Sequence, residues 1–132
     1  MNLMKKKGPV KMAKILIMED EPILSQALTI ELNSYGYTVF AADNGVDGLE
    51  MFYKEKPDLV LLDLLMPKKN GYEVLQELKS KKMLHGLKVI VLSNLGQDDE
   101  KKRAIALGAK NFFVKSSIDL EDLTSFIGKM LA

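Results

Sequence analysis

Polar side chains that can bind a metal ion or a phosphoryl group follow directly after four apolar runs of the sequence. In chain order these side chains are Glu19, Asp20, Asp63, Ser93 and Lys115. Three carboxylates that lie close together repel one another and need a cation, and oxygen ligands without histidine or cysteine suit Mg²⁺. A lysine and a hydroxyl opposite them would bind the remaining oxygens of a phosphoryl group. The residue types therefore indicate magnesium-dependent phosphoryl chemistry, in which a carboxylate beside the cation can itself accept the phosphoryl group.

These side chains meet only if the runs that precede them are parallel strands of one sheet. The predicted strands are 14–18, 37–41, 59–62, 89–92 and 111–114. An apolar run without polar alternation is typical of a strand that helices cover on both faces. The carboxyl ends of such strands share one edge, where open α/β sheets bind their ligands. Asp63 alone could equally turn the chain or cap a helix, but the agreement of four strand ends favours a functional site.

Helical segments are predicted between the strands. The first begins at Pro22 and stops at Gly36, and Asn44 and Asn70 are predicted to open the second and third. The fourth begins with Gln97-Asp98-Asp99-Glu100, which puts acids in its first turn, and Ser117 is predicted to cap the fifth. Apolar residues at helical spacing are Ile23, Leu24, Ala27, Leu28, Ile30; Val46, Leu49, Phe52, Tyr53; Val74, Leu75, Leu78; Leu120, Leu123, Ile127, Met130. Five strand–helix pairs with short links predict an α/β fold with one doubly wound, five-stranded parallel sheet.

Composition limits the remaining classes of protein. The chain has 132 residues, enough for one core, and 47% of them are hydrophobic, as in a folded globular protein. It has no cysteine, which excludes disulfides and thiolate metal sites. No apolar run has the length of a membrane span, and no apolar signal-peptide core follows the first lysines. We therefore expect a cytoplasmic protein that does not bind membranes.

Charge is unevenly distributed along the chain. Lys5, Lys6, Lys7 and Lys11 lie in the first eleven residues, which contain no acid. The remainder has 15 of the 19 basic residues against all 18 acidic ones, a net charge of −3. We predict a basic tail over 1–12, a folded domain over 13–132, and no direct binding to nucleic acid.

Three motifs of this sequence resemble those of the receiver domain of two-component response regulators, over roughly residues 13 to 131. The matching motifs are Ile15-Leu16-Ile17-Met18-Glu19-Asp20-Glu21, Asp63-x-x-Met66-Pro67-x-x-x-Gly71, and Leu107-Gly108-Ala109 leading to Phe112 and Lys115. The resemblance implies a flavodoxin-like (βα)5 fold with strand order 2-1-3-4-5.

The resemblance also implies a role for each site residue. Asp63 would accept a phosphoryl group from the phosphohistidine of a sensor histidine kinase or phosphotransfer protein. Mg²⁺ would be held by Glu19, Asp20, Asp63 and the backbone carbonyl of Leu65. Ser93 and Phe112 would be the switch residues, and Lys115 the counter-charge of the phosphoryl group. The downstream effector would bind the face of the fourth helix, fifth strand and fifth helix, and a second copy could join in a phosphorylation-dependent dimer.

Three positions differ from the usual residues of that family. Asn94 follows Ser93 where alanine is usual, Ser116 follows Lys115 where proline is usual, and Phe112 replaces the commoner tyrosine. None of them removes a group needed for phosphoryl transfer. Leu65 and Leu95 can shield the phosphoryl group and cannot orient a water molecule, so we expect slow loss of phosphate. The alternative is that Leu95 turns into the core and leaves the site open.

Two other functions remain open at this point. Haloacid-dehalogenase-like phosphatases also use an aspartate nucleophile and Mg²⁺, but they carry a general acid two residues later, where this chain has Leu65. A pseudo-receiver that only docks would not need the full set of acids, hydroxyl and lysine. The favoured interpretation is a signalling phosphoacceptor rather than an enzyme. His85 falls in a predicted loop and is expected to be solvated.

Overall fold

Five strands and five helices alternate in the computed structural model, which describes residues 13–94 and 98–132. The strands are β1 (Lys14–Met18), β2 (Thr38–Ala42), β3 (Leu59–Asp63), β4 (Lys88–Ser93) and β5 (Asn111–Val114). The helices are α1 (Pro22–Ser34), α2 (Gly45–Glu55), α3 (Gly71–Ser80), α4 (Asp98–Ala106) and α5 (Leu120–Leu131). A 3₁₀ turn, Lys115–Ser117, joins β5 to α5. The predicted tail 1–12, Leu95 and Gln97 lie outside the described residues.

The strands form one parallel sheet in the order β2-β1-β3-β4-β5. This confirms the predicted fold class and strand order. Every strand runs in the same direction, so the residues after β1, β3, β4 and β5 lie at one edge. The sequence prediction of four converging strand ends is therefore correct.

Alternate residues of the central strands enter two separate cores. On one face Leu16, Val60 and Val89 pack with residues of α2, α3 and α4. On the other face Ile15 and Leu61 pack with residues of α1 and α5. Burial on both faces explains why β3 is apolar at every position before Asp63, because each side chain has a helix to pack against.

Side-chain caps fix the beginning of α2 and α3 as predicted. Asn44 accepts a hydrogen bond from the backbone N–H of Asp47 at 2.8 Å. Asn70 accepts one from Glu73, whose side chain accepts the Asn70 N–H in return and completes a capping box. Both caps lie at the edge of the sheet that carries the site, so they help to position the loops there.

The predicted cap of α5 is wrong. Asp119, not Ser117, is the N-cap, and its carboxylate accepts hydrogen bonds from the backbone N–H groups of Glu121 and Asp122. Ser117 instead closes the 3₁₀ turn, where its hydroxyl donates to the carbonyl of Val114 at 3.4 Å. Because Lys115–Ser117 form the 3₁₀ turn directly after β5, α5 begins only at Leu120, after the N-cap Asp119.

Three predicted apolar positions are not core residues. Val46 in α2 is exposed because Gly45, Gly48, Leu49 and Phe52 form the buried face of that helix. Ile23 and Ile30 share the helical spacing of α1 but are also exposed, at 85% and 65%. The buried face of α1 is formed instead by Leu28 and Leu32, with Leu24 packed beside them.

Within the described ranges, the helices are too short or too polar for any of them to span a lipid bilayer. The longest, α1, has 13 residues.

Candidate functional site

Strand register places the predicted residues around a single point. Met18 of β1 lies opposite Leu62 of β3, so Glu19 and Asp63 follow at the same level. Ser93 of β4 lies opposite Val114 of β5, immediately before Lys115. The structure thus brings together the residues that the sequence predicted from four different strands.

Lys115 lies at the centre of this group. Its Nζ atom is 2.9 Å from Glu19 Oε2 and 3.3 Å from Asp63 Oδ2, and all three side chains are buried. Glu21 adds a third carboxylate, with Oε2 at 2.5 Å from the same Nζ atom. Burial alone would lower the pKa of Lys115, but hydrogen bonds to Glu21 and Glu19 outweigh it and raise that pKa above its usual value. Lys115 is therefore held as a cation.

The ionisation of Asp63 follows from its neighbours. Burial, and then the charge of Glu19, raise the pKa of Asp63 to about 7, although Lys115 and a backbone hydrogen bond act in the opposite direction. That hydrogen bond comes from the N–H of Leu65, which donates to Asp63 Oδ1 at 3.3 Å. One oxygen of Asp63 is thus bound by the loop and the other contacts Lys115. A buried carboxylate with so few compensating charges favours a further cation beside it.

The donor set fits Mg²⁺. Glu19, Asp20 and Asp63 each offer a carboxylate oxygen, and these oxygens lie within 4.8 Å of one another. Oε1 of Glu19 is buried and accepts no hydrogen bond from any described residue, so a donor or cation is still needed there. Asp20 is exposed, which leaves the group open to solvent ions. An all-oxygen set with access to water is what Mg²⁺ prefers.

Two glycines let the loop after Asp63 close over the site. A Cβ atom at Gly71 would overlap the carbonyl oxygen of Asp63, and one at Gly45 would overlap the carbonyl oxygen of Lys69. The N–H of Gly45 instead donates to Lys69 O at 3.1 Å, and the N–H of Gly71 donates to Leu64 O at 3.0 Å. The backbone around Leu65 is therefore fixed at both ends.

The two predicted switch residues differ in burial. Ser93 is completely buried at the end of β4, whereas Phe112 is partly buried and packs beside the α2–α3–α4 core. Leu65 is 57% exposed in the loop after Asp63, and Leu95 lies outside the described residues. His85 and Asn94 are exposed.

Sequence reasoning missed the role of Glu21. It treated Glu21 only as the last residue of a motif, yet this side chain makes the shortest of the three contacts to Lys115. No spacing rule links two residues so far apart in the chain. The available signal was that Glu21 precedes Pro22 at the start of a helix, on the same sheet edge as Lys115.

A groove opens beside the carboxylates, between α1 and α2. Its volume is about 680 Å³, and it is lined at the site end by Glu19 and Asp20 and further along by Gln26 and Asp47. The groove thus leads from solvent to the end of the site that Glu19 and Asp20 form.

Comparison with curated proteins identifies two kinds of relative. The chain is 35% identical over 121 residues to the protein PilH of Pseudomonas aeruginosa, covering 92% of this chain and 99% of that protein. It is 32% identical over 120 residues to the DNA-binding dual master transcriptional regulator RpaA of Synechocystis, covering 91% of this chain but 49% of the relative. The chain therefore spans nearly all of the first and about half of the second.

Solved structures and a family model agree with this result. A DNA-binding response regulator of the LuxR family from Staphylococcus aureus superposes with a TM-score of 0.81 at 28% identity, over 89% of this chain and 98% of that one. Chemotaxis protein CheY4 of Vibrio cholerae shares the fold, with a TM-score of 0.82 at 24% identity and coverage of 89% and 98%. The response regulator receiver domain model matches residues 15–127. With that match over most of its length, the chain belongs to the response regulator receiver domains of two-component systems.

Proposed function

We propose that Asp63 accepts a phosphoryl group from the phosphohistidine of a sensor histidine kinase or phosphotransfer protein. The observation that carries this proposal is the buried contact of Lys115 with Asp63 and Glu19, beside a Glu19 oxygen that accepts no hydrogen bond from the described part of the chain. The same group of residues offers a nucleophile, a cation and an incomplete ligand set for a metal. These are the components that phosphoryl transfer to a carboxylate needs.

Transfer exchanges one bond for another. A carboxylate oxygen of Asp63 forms a bond to phosphorus while the P–N bond of the phosphohistidine breaks, and its electron pair returns to the imidazole. The Leu65 N–H, which donates to Oδ1, orients the carboxylate, and Lys115 neutralises a phosphoryl oxygen. Mg²⁺ held by Glu19, Asp20, Asp63 and the Leu65 carbonyl would neutralise part of the negative charge on the transferred group.

The chain then acts as a signalling phosphoacceptor and not as an enzyme with an external substrate. It promotes its own phosphorylation. Loss of phosphate is slow because the Leu65 side chain offers no group that could orient a water molecule. The phosphatase alternative is disfavoured for the same reason, since Leu65 cannot serve as a general acid. A docking-only pseudo-receiver is disfavoured by the buried Lys115–Asp63 contact, which mere docking does not require.

We further propose that the output is read on the face formed by α4, β5 and α5. An effector, or a second copy of the chain after phosphorylation, would bind there in the cytoplasm, without direct contact to membranes or nucleic acid. α4 supports this assignment because only Ala104 of its described residues is buried, so the helix can shift at small cost.

The central test is phosphorylation of wild type and Asp63→Asn with acetyl phosphate and Mg²⁺, followed by intact mass. We expect one phosphate on the wild type and none on Asp63→Asn. Asp122→Asn, an exposed acid in the first turn of α5, is the matched control and should be labelled like the wild type. Undiminished labelling of Asp63→Asn would overturn the assignment.

A further inference from the structure

Glu21 shares Lys115 with the two buried acids of the site. Its carboxylate makes the shortest contact to Nζ, at 2.5 Å, against 2.9 Å for Glu19 and 3.3 Å for Asp63. The side chains of Glu19 and Asp63 are only 1% and 4% exposed, whereas that of Glu21 is 54% exposed. Of these three carboxylates, only Glu21 can leave Lys115 for water without being buried unpaired.

The backbone directs Glu21 towards Lys115. Glu21 is the N-cap residue of α1, but its side chain makes no capping hydrogen bond. Its N–H donates at 2.9 Å to Glu19 Oε2, the same oxygen that accepts from Lys115. The free amides at the start of a helix ordinarily attract the N-cap side chain. Here the side chain contacts the ammonium of Lys115 instead.

This contact conflicts with the binding of a phosphoryl group. Lys115 would have to pair with a phosphoryl oxygen on Asp63, and an ammonium already held by three carboxylates must release one of them. Glu21 also adds negative charge at the point where an anion approaches. Like charges close together in a partly buried site weaken anion binding.

We infer that Glu21 is a positioning residue that competes with the phosphoryl group for Lys115 and so limits how readily the site takes up an anion. The inference rests on the proposed function, because it concerns the same site. Glu21 acts through its contact with Lys115. Its carboxylate is the group that Lys115 exchanges for a phosphoryl oxygen.

The test uses Glu21→Gln, which keeps the size of the side chain and removes its charge. Beryllofluoride in Mg²⁺, a stable anionic mimic of the phosphoryl group, is titrated while amide NMR signals are followed. We expect binding about 1.5- to 5-fold tighter than in the wild type, the range for loss of one half-exposed ion pair. Glu50→Gln, an exposed glutamate of α2 away from Lys115, should bind like the wild type.

A second readout needs neither metal nor anion. In the metal-free protein, the ammonium protons of Lys115 should exchange with water faster in Glu21→Gln than in the wild type, because one of three acceptors has lost its charge. Glu21→Asp keeps the charge but shortens the side chain by one methylene. It should also bind beryllofluoride more tightly than the wild type, though less than Glu21→Gln does.

The outcomes separate the two proposals. A wild type that takes up neither beryllofluoride nor phosphate would refute the proposed function. A wild type that binds, with Glu21→Gln no tighter and its Lys115 protons unchanged, would refute the role of Glu21 alone. If Glu21→Asp binds like the wild type, charge at a distance explains the effect, and competition for Lys115 is refuted.

Discussion

Asp63 lies buried beside Glu19 and Lys115. Its ion pair with Lys115 compensates its negative charge only in part, because Lys115 also pairs with Glu19. Two buried carboxylates share one ammonium, and Oε1 of Glu19 has no described partner. Burying a charge without full pairing costs free energy, so the metal-free site destabilises the fold. A cation that binds only the folded protein would offset that cost.

We therefore expect Mg²⁺ to raise the melting temperature. With Mg²⁺ at ten times its dissociation constant, the rise should be about 2 to 6 °C for a domain of this size, and EDTA should reverse it. Asp20→Asn removes the exposed carboxylate of the candidate metal site, so its melting temperature should rise less at the same Mg²⁺ concentration, with little loss of metal-free stability. Calorimetry of both proteins measures this. If Mg²⁺ does not change the melting temperature of the wild type, the prediction of a metal site is wrong.

At the level of helices and loops, Glu77 of α3 connects the loop after Asp63 with α2 through hydrogen bonds. Its carboxylate accepts from Lys69 of the loop at 2.6 Å and from Tyr53 of α2 at 2.5 Å. Lys81 pairs with it at 3.3 Å and also lies over the Tyr53 ring, 4.9 Å from the centroid. Hydrogen bonds from Lys69, then from Tyr53, hold the pKa of Glu77 down to about 2, from an ordinary value of 4.5.

This lowered pKa predicts a pH-dependent stability. Because the unfolded chain binds the proton first as pH falls, the contribution of Glu77 is complete above about pH 4.5 and is lost towards pH 2. Glu77→Gln should lower the free energy of unfolding by about 1 to 2 kcal/mol at pH 7, a value reduced for solvent screening of a partly exposed side chain. Urea unfolding should show the difference shrinking below pH 4. If the free energies of unfolding of Glu77→Gln and the wild type differ equally at every pH, the ion pair does not explain the difference. Glu50→Gln serves as the control.

Polar contacts also attach α4 to α3. The Tyr72 hydroxyl donates to Glu100, and the Arg103 guanidinium lies 3.9 Å from the centre of the Tyr72 ring. At the other end of α4, Lys79 donates to the carbonyl of Ala106 at 3.1 Å. Because α4 buries so little apolar surface, a few polar contacts hold its position. Such contacts can exchange partners without disrupting a core.

At the level of the whole molecule, the site and the proposed output face are joined through the sheet. Ser93 ends β4 beside the site, and β5 pairs with β4 so that Phe112 lies opposite Val91. α4 follows Ser93 along the chain, and Phe112 packs beside the core that includes Ala104 of α4. A shift of Ser93 towards a phosphoryl group would therefore act on both β5 and α4.

Ser93→Ala should separate phosphorylation from this response. Asp63 and Lys115 remain, so the variant should still take up phosphate, but the amide NMR shifts of α4 on beryllofluoride binding should fall to less than about half those of the wild type. Ser125→Ala, on the exposed side of α5, is the control. Equal α4 shifts in Ser93→Ala and the wild type would contradict the coupling.

The sequence by itself determined the sheet and most of the site. Apolar runs without alternation identified the strands, because a strand buried on both faces has no position for polar side chains. The common direction of parallel strands then placed Glu19, Asp63, Ser93 and Lys115 at one edge. Local capping patterns located the start of α2 and α3, since Asn44 and Asn70 bond only to residues within one helical turn.

The tertiary structure alone decided contacts between residues that are distant in the chain. Helical spacing predicted apolar stripes but not which residues meet the sheet, so Val46, Ile23 and Ile30 proved to be exposed. Ser117 and Asp119 are both good caps, and the 3₁₀ turn after β5 selected Asp119. The contacts of Glu21 with Lys115 and of Glu77 with Lys69 depend on how loops and helices pack at the sheet edge. Local periodicity carries no information about distances across that edge, which only the packed fold fixes.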